Sequence, residues 1–188
     1  MNGVGRMIGV ALVSGVAIAS ASAQTASSDM SQTSGIIPSG FGDAVDKDVA
    51  SVRAATTQFK STDAAESAGY KRVTDCVEYQ PAGAMGYHFQ NNDLLDTTLD
   101  VNHPEVLVYE RMADGKFTLN GVEFLVPISA WKSADAPKVM GQPLKRADKL
   151  GIYYLHVWSW KASPSGIFSD WNPLVKCDAG GSGTKMSH

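Results

Sequence analysis

The sequence predicts an α+β fold: N-terminal helices packed on a curved, mainly antiparallel β-sheet, all in a single domain. Three observations predict it. Apolar residues recur at helical spacing from Asp43 onward. After Tyr70 the pattern changes to short runs rich in β-branched and aromatic residues. Tight-turn signals separate several of these runs, as expected where neighbouring strands run antiparallel.

The segments before Asp43 read as export and leader sequence. Arg6 precedes an apolar stretch from Met7 to Ala19, and Ala21-Ser22-Ala23 supplies small residues at cleavage spacing. Residues 1–23 therefore read as a signal peptide. The stretch is too short to remain as a membrane span, and no later segment is long and apolar enough for one. Residues 24–42 are small and polar, a flexible leader. Residues 43–178 carry the domain, and residues 179–188 read as a disordered tail.

Within the domain, Val45, Val49, Val52, Thr56 and Phe59 fall on one helical face. Asp43, Asp46 and Asp48 lie near the positive end of that helix, and Lys60 near the other. A second short helix starts at Thr62 or Asp63, and Gly69 suits its end. Val73 to Tyr79 is a candidate strand, followed by the turn-like Pro81-Ala82-Gly83. Gly86 to Phe89 is extended and stops at Asn91-Asn92, and a helical turn is expected between Asp93 and Leu99. A strong strand follows Pro104 from Glu105 to Glu110. The turn Ala113-Asp114-Gly115-Lys116 joins it to Phe117–Val126, which Pro127 ends. A short helix is expected at Ser129-Ala130-Trp131, then a polar loop. The next strand, Tyr153 to Trp160, is the most aromatic of the chain. The irregular tail beyond it carries Ile167, Phe168 and Trp171, which suggests a loop folded over an apolar surface.

Composition excludes several classes of partner. The 188 residues carry 16 basic and 19 acidic side chains, a net charge of −3, which falls to −4 once Arg6 leaves with the leader. A mildly acidic chain with scattered lysines does not bind nucleic acid, and no basic amphipathic face suits a membrane surface. Cys76 and Cys177 are the two cysteines. In an exported protein they are expected to pair as a disulfide, closing a loop of about 100 residues worth up to about 4–5 kcal/mol.

Strand alternation selects the candidate ligands. On Tyr153–Trp160 one face carries Tyr154, His156, Trp158 and Trp160. His88 shares a side with Gly86 and Gln90. Glu123 lies with Phe117, Leu119, Gly121 and Leu125, where a carboxylate is costly unless paired or bound to a cation. Glu110 shares a side with Val106 and Val108. If these faces line one hollow, His88, His156, Glu123 and Glu110 form a two-histidine, two-carboxylate set suited to Zn, Fe, Mn or Cu. Tyr87, Tyr154, Trp158, Trp160 and Trp171 are the candidate pocket walls. The plainer reading makes His156 a hydrogen-bonded core histidine and Glu123 the partner of Arg111 or Lys116. No GxSxG elbow, phosphate-cradling GxxxxGK[ST] or GxGxxG follows a strand.

Several blocks carry a resemblance: Gly83-Ala84-Met85-Gly86-Tyr87-His88, Pro104 to Glu110, Gly121-Val122-Glu123-Phe124, Leu155 to Trp160, and Pro164-Ser165-Gly166-Ile167-Phe168 with Trp171 to Cys177. Together they resemble a group of exported bacterial proteins of unknown function, over most of residues 50–177. The resemblance implies a secreted bacterial protein and no particular activity. Three functions are consistent with these residues: a metal- or small-ligand-binding protein, a hydrolase or oxygenase using the same pocket, and an envelope module with no small-molecule site.

Overall fold

The computed structural model describes residues 38–177 and the pair Thr184–Lys185. The expected signal peptide, residues 24–37 of the expected leader and most of the expected tail lie outside the described residues. Helix α1 (Asp43–Thr56) buries Val45, Val49, Val52 and Thr56, the stripe its spacing predicts. It ends in a 3-10 turn, Thr57–Lys60, that carries the buried Phe59, so the expected face continues past the helix itself. Helix α2 (Thr62–Ser67) buries Ala65.

The strands are β1 (Lys71–Arg72), β2 (Val77–Tyr79), β3 (Gly83–Gln90), β4 (Val106–Arg111), β5 (Phe117–Pro127), β8 (Lys145–Ala147), β9 (Ile152–Val157) and β10 (Thr184–Lys185), with β6 (Lys138–Val139) and β7 (Gln142–Pro143) as a separate small hairpin. The main sheet runs β10-β2-β3-β4-β5-β9-β8, with β1 also against β3. All pairs are antiparallel except β10 with β2. Thr184 and Lys185, expected to belong to a disordered tail, pair with Val77 and Glu78.

Other expectations need correction. Of the strand expected from Val73 to Tyr79 only Val77–Tyr79 forms, as β2, and β1 lies just before the expected span. The expected turn near Asp93 is the 3-10 turn Asn92–Leu94. In place of a helix at residues 129–131, Pro127 O accepts hydrogen bonds from Ala130 N and Trp131 N in a single turn. The strand expected to reach Trp160 stops at Val157, and Trp158 N then donates to Ile167 O.

The sheet has two apolar faces. Leu107, Tyr109, Val122, Phe124, Val126, Leu155 and Val157 pack in one cluster with α1 and Phe59. Each buried Val of α1 contributes about 1.5–3 kcal/mol there. Tyr109 Oη donates to Phe59 O at 2.5 Å and fixes that turn on the sheet. The opposite face carries a smaller cluster, Val106, Val108 and Leu125, with Leu95, Ile152 and Tyr154 against it. A disulfide joins Cys76 to Cys177 across 101 residues, and a bridge between Ala84 and Asn172 lays the tail along β3.

Candidate metal centre

The smaller face owes its shape to two departures from regular pairing. Val108 opposes Gly121 and Tyr109 opposes Leu119, so Asn120 is an extra residue in β5. A bulge of this kind bends and twists the strand. It also reverses the alternation expected along β5: Phe117 and Leu119 belong to the helix-side cluster, whereas Leu125 belongs to the other. At Gly121 a Cβ would lie 2.4 Å from Val157 O, and at Gly86 (φ 106°) one would lie 2.3 Å from Tyr109 O. Both glycines let backbones approach more closely than any side chain allows.

Three of the four expected ligands meet on this face. Glu123 is the direct cross-strand neighbour of His156, and His88 on β3 opposes Val108. Strands β3 and β9 are three strand spacings apart, about 14 Å on a flat sheet. The imidazole centroids of His88 and His156 nevertheless lie 6.3 Å apart, with their planes perpendicular. The two rings therefore converge much more closely than the flat-sheet separation of their strands. One ligand atom from each of His88, Glu123 and His156 lies within 4.8 Å of the others, and all three residues are buried.

Each member is held differently. Thr74 Oγ1 accepts from the backbone N–H of His88 at 3.1 Å and lies 3.0 Å from its Nδ1. Donation from Nδ1–H to that hydroxyl leaves a lone pair on Nε2, which lies 3.9 Å from Glu123 Oε2. Such an outer partner orients a ligating imidazole. His156 has no exposed surface and stacks on Trp158 at 4.4 Å, tilted by 33°. Neither of its ring nitrogens has a hydrogen-bond partner. A buried donor or acceptor left unmade costs about 1–3 kcal/mol.

Burial decides the charge of the group. It lowers the His88 pKa to about 4. It holds His156 well below the usual imidazole range, helped by the neighbouring His88 and by Lys145. Burial, with a smaller push from Asp170, raises Glu123 to about 8 against a smaller opposing effect of Lys145. At neutral pH the trio is two neutral imidazoles and a carboxylic acid, with no net charge.

A cavity of about 700 Å³ opens beside the trio. His88, Glu123 and Tyr154 line it with the apolar side chains of Val77, Met85, Val106, Leu125 and Ile152. Tail residues Asp170 and Trp171 close one side. Asp170 is tied there by Lys145 Nζ at 2.5 Å and by Tyr154 Oη at 3.3 Å. Trp171 packs against Tyr79 at 5.7 Å.

Glu110 does not join the trio. It accepts from Asn120 Nδ2 at 3.2 Å, from Lys176 N at 3.0 Å and from Lys161 Nζ. This carboxylate anchors the bulge and the tail. Of the expected pocket walls, Tyr154 and Trp171 line the cavity. Tyr87 lies in the helix-side cluster, edge-on to Phe117. Trp160 donates to Thr56 Oγ1 at 2.9 Å and stacks under Lys60, because β9 ends before the expected alternation reaches it. Trp158 backs His156 and donates to Ser169 O.

Thr74 and Asp170 carried no sequence signal beyond lying near Cys76 and Trp171. No family model, curated protein or solved structure matches this chain.

Proposed function

We propose that this is an exported protein that binds a divalent transition-metal ion through His88, His156 and Glu123, with a small-molecule cavity beside the metal. The observation that carries this reading is His156, fully buried with both ring nitrogens unpaired, directly across the strand from a buried carboxylate. A metal ion gives the orphaned imidazole its partner and stabilises the ionised form of Glu123. Two imidazoles and one carboxylate suit Zn, Fe, Mn or Cu. Bonds of about 2.1 Å in tetrahedral geometry place ligand atoms about 3.4 Å apart, so binding draws the three groups inward from their present spacing.

The disulfide supports an oxidising location. Among the described residues no helix is long and apolar enough to cross a membrane. The enzyme reading, hydrolase or oxygenase, draws its support from the cavity. Three protein ligands leave a coordination position open, and His88 and Glu123 both face that space.

Elemental analysis of protein purified without a histidine tag tests the metal reading, with thermal melts in EDTA and in added Zn²⁺, Mn²⁺, Fe²⁺ or Cu²⁺. About one metal ion per chain and a melting temperature that rises with one of these ions are expected. No bound metal and no shift with any ion overturns it.

A further inference from the structure

We infer that the cavity takes an apolar monocarboxylate, a medium-chain fatty acid or aryl-alkanoate, whose carboxylate completes the coordination of the metal held by His88, Glu123 and His156. The inference rests on the metal reading above and names the ligand of that same site.

The shape of the space sets the body of the ligand. A volume of about 700 Å³ lies in the range that encloses a small organic molecule. Most of its wall surface is apolar, with Val77, Met85, Val106, Leu125 and Ile152 contributing to it. Val73 and Leu150 also line it, yet they are 50% and 62% exposed. Large apolar side chains left in water at a cavity rim continue its lining outward and suit an apolar tail.

Charge sets the head. A divalent ion with two neutral imidazoles and one carboxylate keeps one positive charge, and a single charge in an apolar enclosure is costly unless it is paired. The other charged groups near the cavity do not supply the missing anion. Asp170 is bonded to Lys145, and Asp148 to Arg146. A ligand with one anionic oxygen donor neutralises the site and fills a fourth coordination position. His156, fully buried, is absent from the cavity lining, so the ligand meets the metal from the His88 and Glu123 side.

The test uses the full mature chain and two isothermal titrations, the first with zinc and the second with sodium decanoate or 1-decanol. On zinc-loaded protein, decanoate is expected to bind at least tenfold more tightly than decanol, and EDTA treatment to abolish the difference. Ile152→Trp, at the start of β9 and four residues from His156, fills the cavity, and should keep zinc uptake while weakening decanoate at least tenfold. Leu150→Asp, at an exposed rim position, is the variant that leaves folding intact and should weaken decanoate in the same direction. Zinc uptake with equal affinity for acid and alcohol overturns the inference and leaves the metal site standing. The titration uses whichever of Zn²⁺, Mn²⁺, Fe²⁺ or Cu²⁺ the protein takes up, and uptake of none of them overturns both readings.

Discussion

Replacing His156 with Leu distinguishes a metal ligand from a core side chain by the sign of its effect. In the metal-free protein the neutral imidazole carries one donor and one acceptor, and neither nitrogen is paired. Removing them relieves about 1–3 kcal/mol. The variant gives up the ring contact with Trp158, 4.4 Å away, worth about 0.5–1.5 kcal/mol. Leu is close in volume and fits the apolar surroundings. The balance is a gain of roughly 1 kcal/mol for His156→Leu in chelator, a rise of a few degrees in melting temperature. Metal reverses the order. At free zinc one hundred times its dissociation constant, the wild type gains about 2.7 kcal/mol, and the variant, lacking one of three ligands, gains little. The wild type is then ahead by about 1.7 kcal/mol. Urea unfolding in EDTA and in zinc reads both numbers from one pair of proteins. A variant that loses more than about 1 kcal/mol in EDTA, beside a wild type indifferent to zinc, would show His156 to be a packed core residue and refute the reasoning.

Further outcomes follow from the same geometry. Glu123 titrates near 8 in the fold, above its ordinary value of 4.5, so the metal-free folded state holds a proton that the unfolded chain has lost between those pH values. Stability of the metal-free protein therefore falls as pH rises from about 4.5 to 8, by on the order of 4 kcal/mol, and Glu123→Gln flattens that slope in urea melts at pH 5 and 8. His88, lowered to about 4, has the opposite sign: stability is lost as pH falls below about 6.5, and His88→Gln removes this acid-side loss. Gly121→Ala places a Cβ 2.4 Å from Val157 O, so β5 and β9 must separate. A cost of about 3 kcal/mol is expected, and a change under about 0.5 kcal/mol in the urea midpoint would contradict the close approach. Replacing Cys76 and Cys177 by Ser opens a loop of 101 residues and should cost up to about 4.7 kcal/mol. Faster proteolysis near Asp170 and Trp171 is the accompanying sign, and an unchanged midpoint would mean that tail packing alone holds the closure.

The parts of this fold that sequence reasoning reached depend on local period. The α1 stripe of Val45, Val49 and Val52 is readable because helical spacing survives any tertiary arrangement. The same holds for Tyr154 and His156 on one side of β9, where the strand is regular. Period-two reasoning failed where the count changed. Asn120 is inserted in β5, so Phe117 and Leu119 face the helices although parity groups them with Glu123. Trp158 and Trp160 follow the end of β9, and turn hydrogen bonds then aim them. The two- and three-residue strands between Lys138 and Ala147 had no signal, because pairing with neighbours defines them. The approach of His88 to His156 depends on the bend of four strands, a property of the whole sheet.

The contrast between Glu110 and Glu123 turns that lesson into a criterion. Both sit on strands, both are buried, and both share a strand side with apolar neighbours in the sequence. Glu110 receives a lysine ammonium, an amide N–H and a backbone N–H, which is the full compensation an ionised carboxylate needs in a low-dielectric setting. Among the described residues nothing donates a hydrogen bond to Glu123, whose ionic neighbour is an imidazole 3.9 Å away with a depressed pKa. One carboxylate is complete and serves architecture. The other is incomplete in company with an equally incomplete histidine, and two uncompensated groups of complementary ligand type on adjacent strands are the arrangement a cation completes. Burial alone does not separate the two glutamates; their hydrogen-bond partners do, and the cross-strand neighbour of Glu123 is the histidine whose two ring nitrogens are both unpaired.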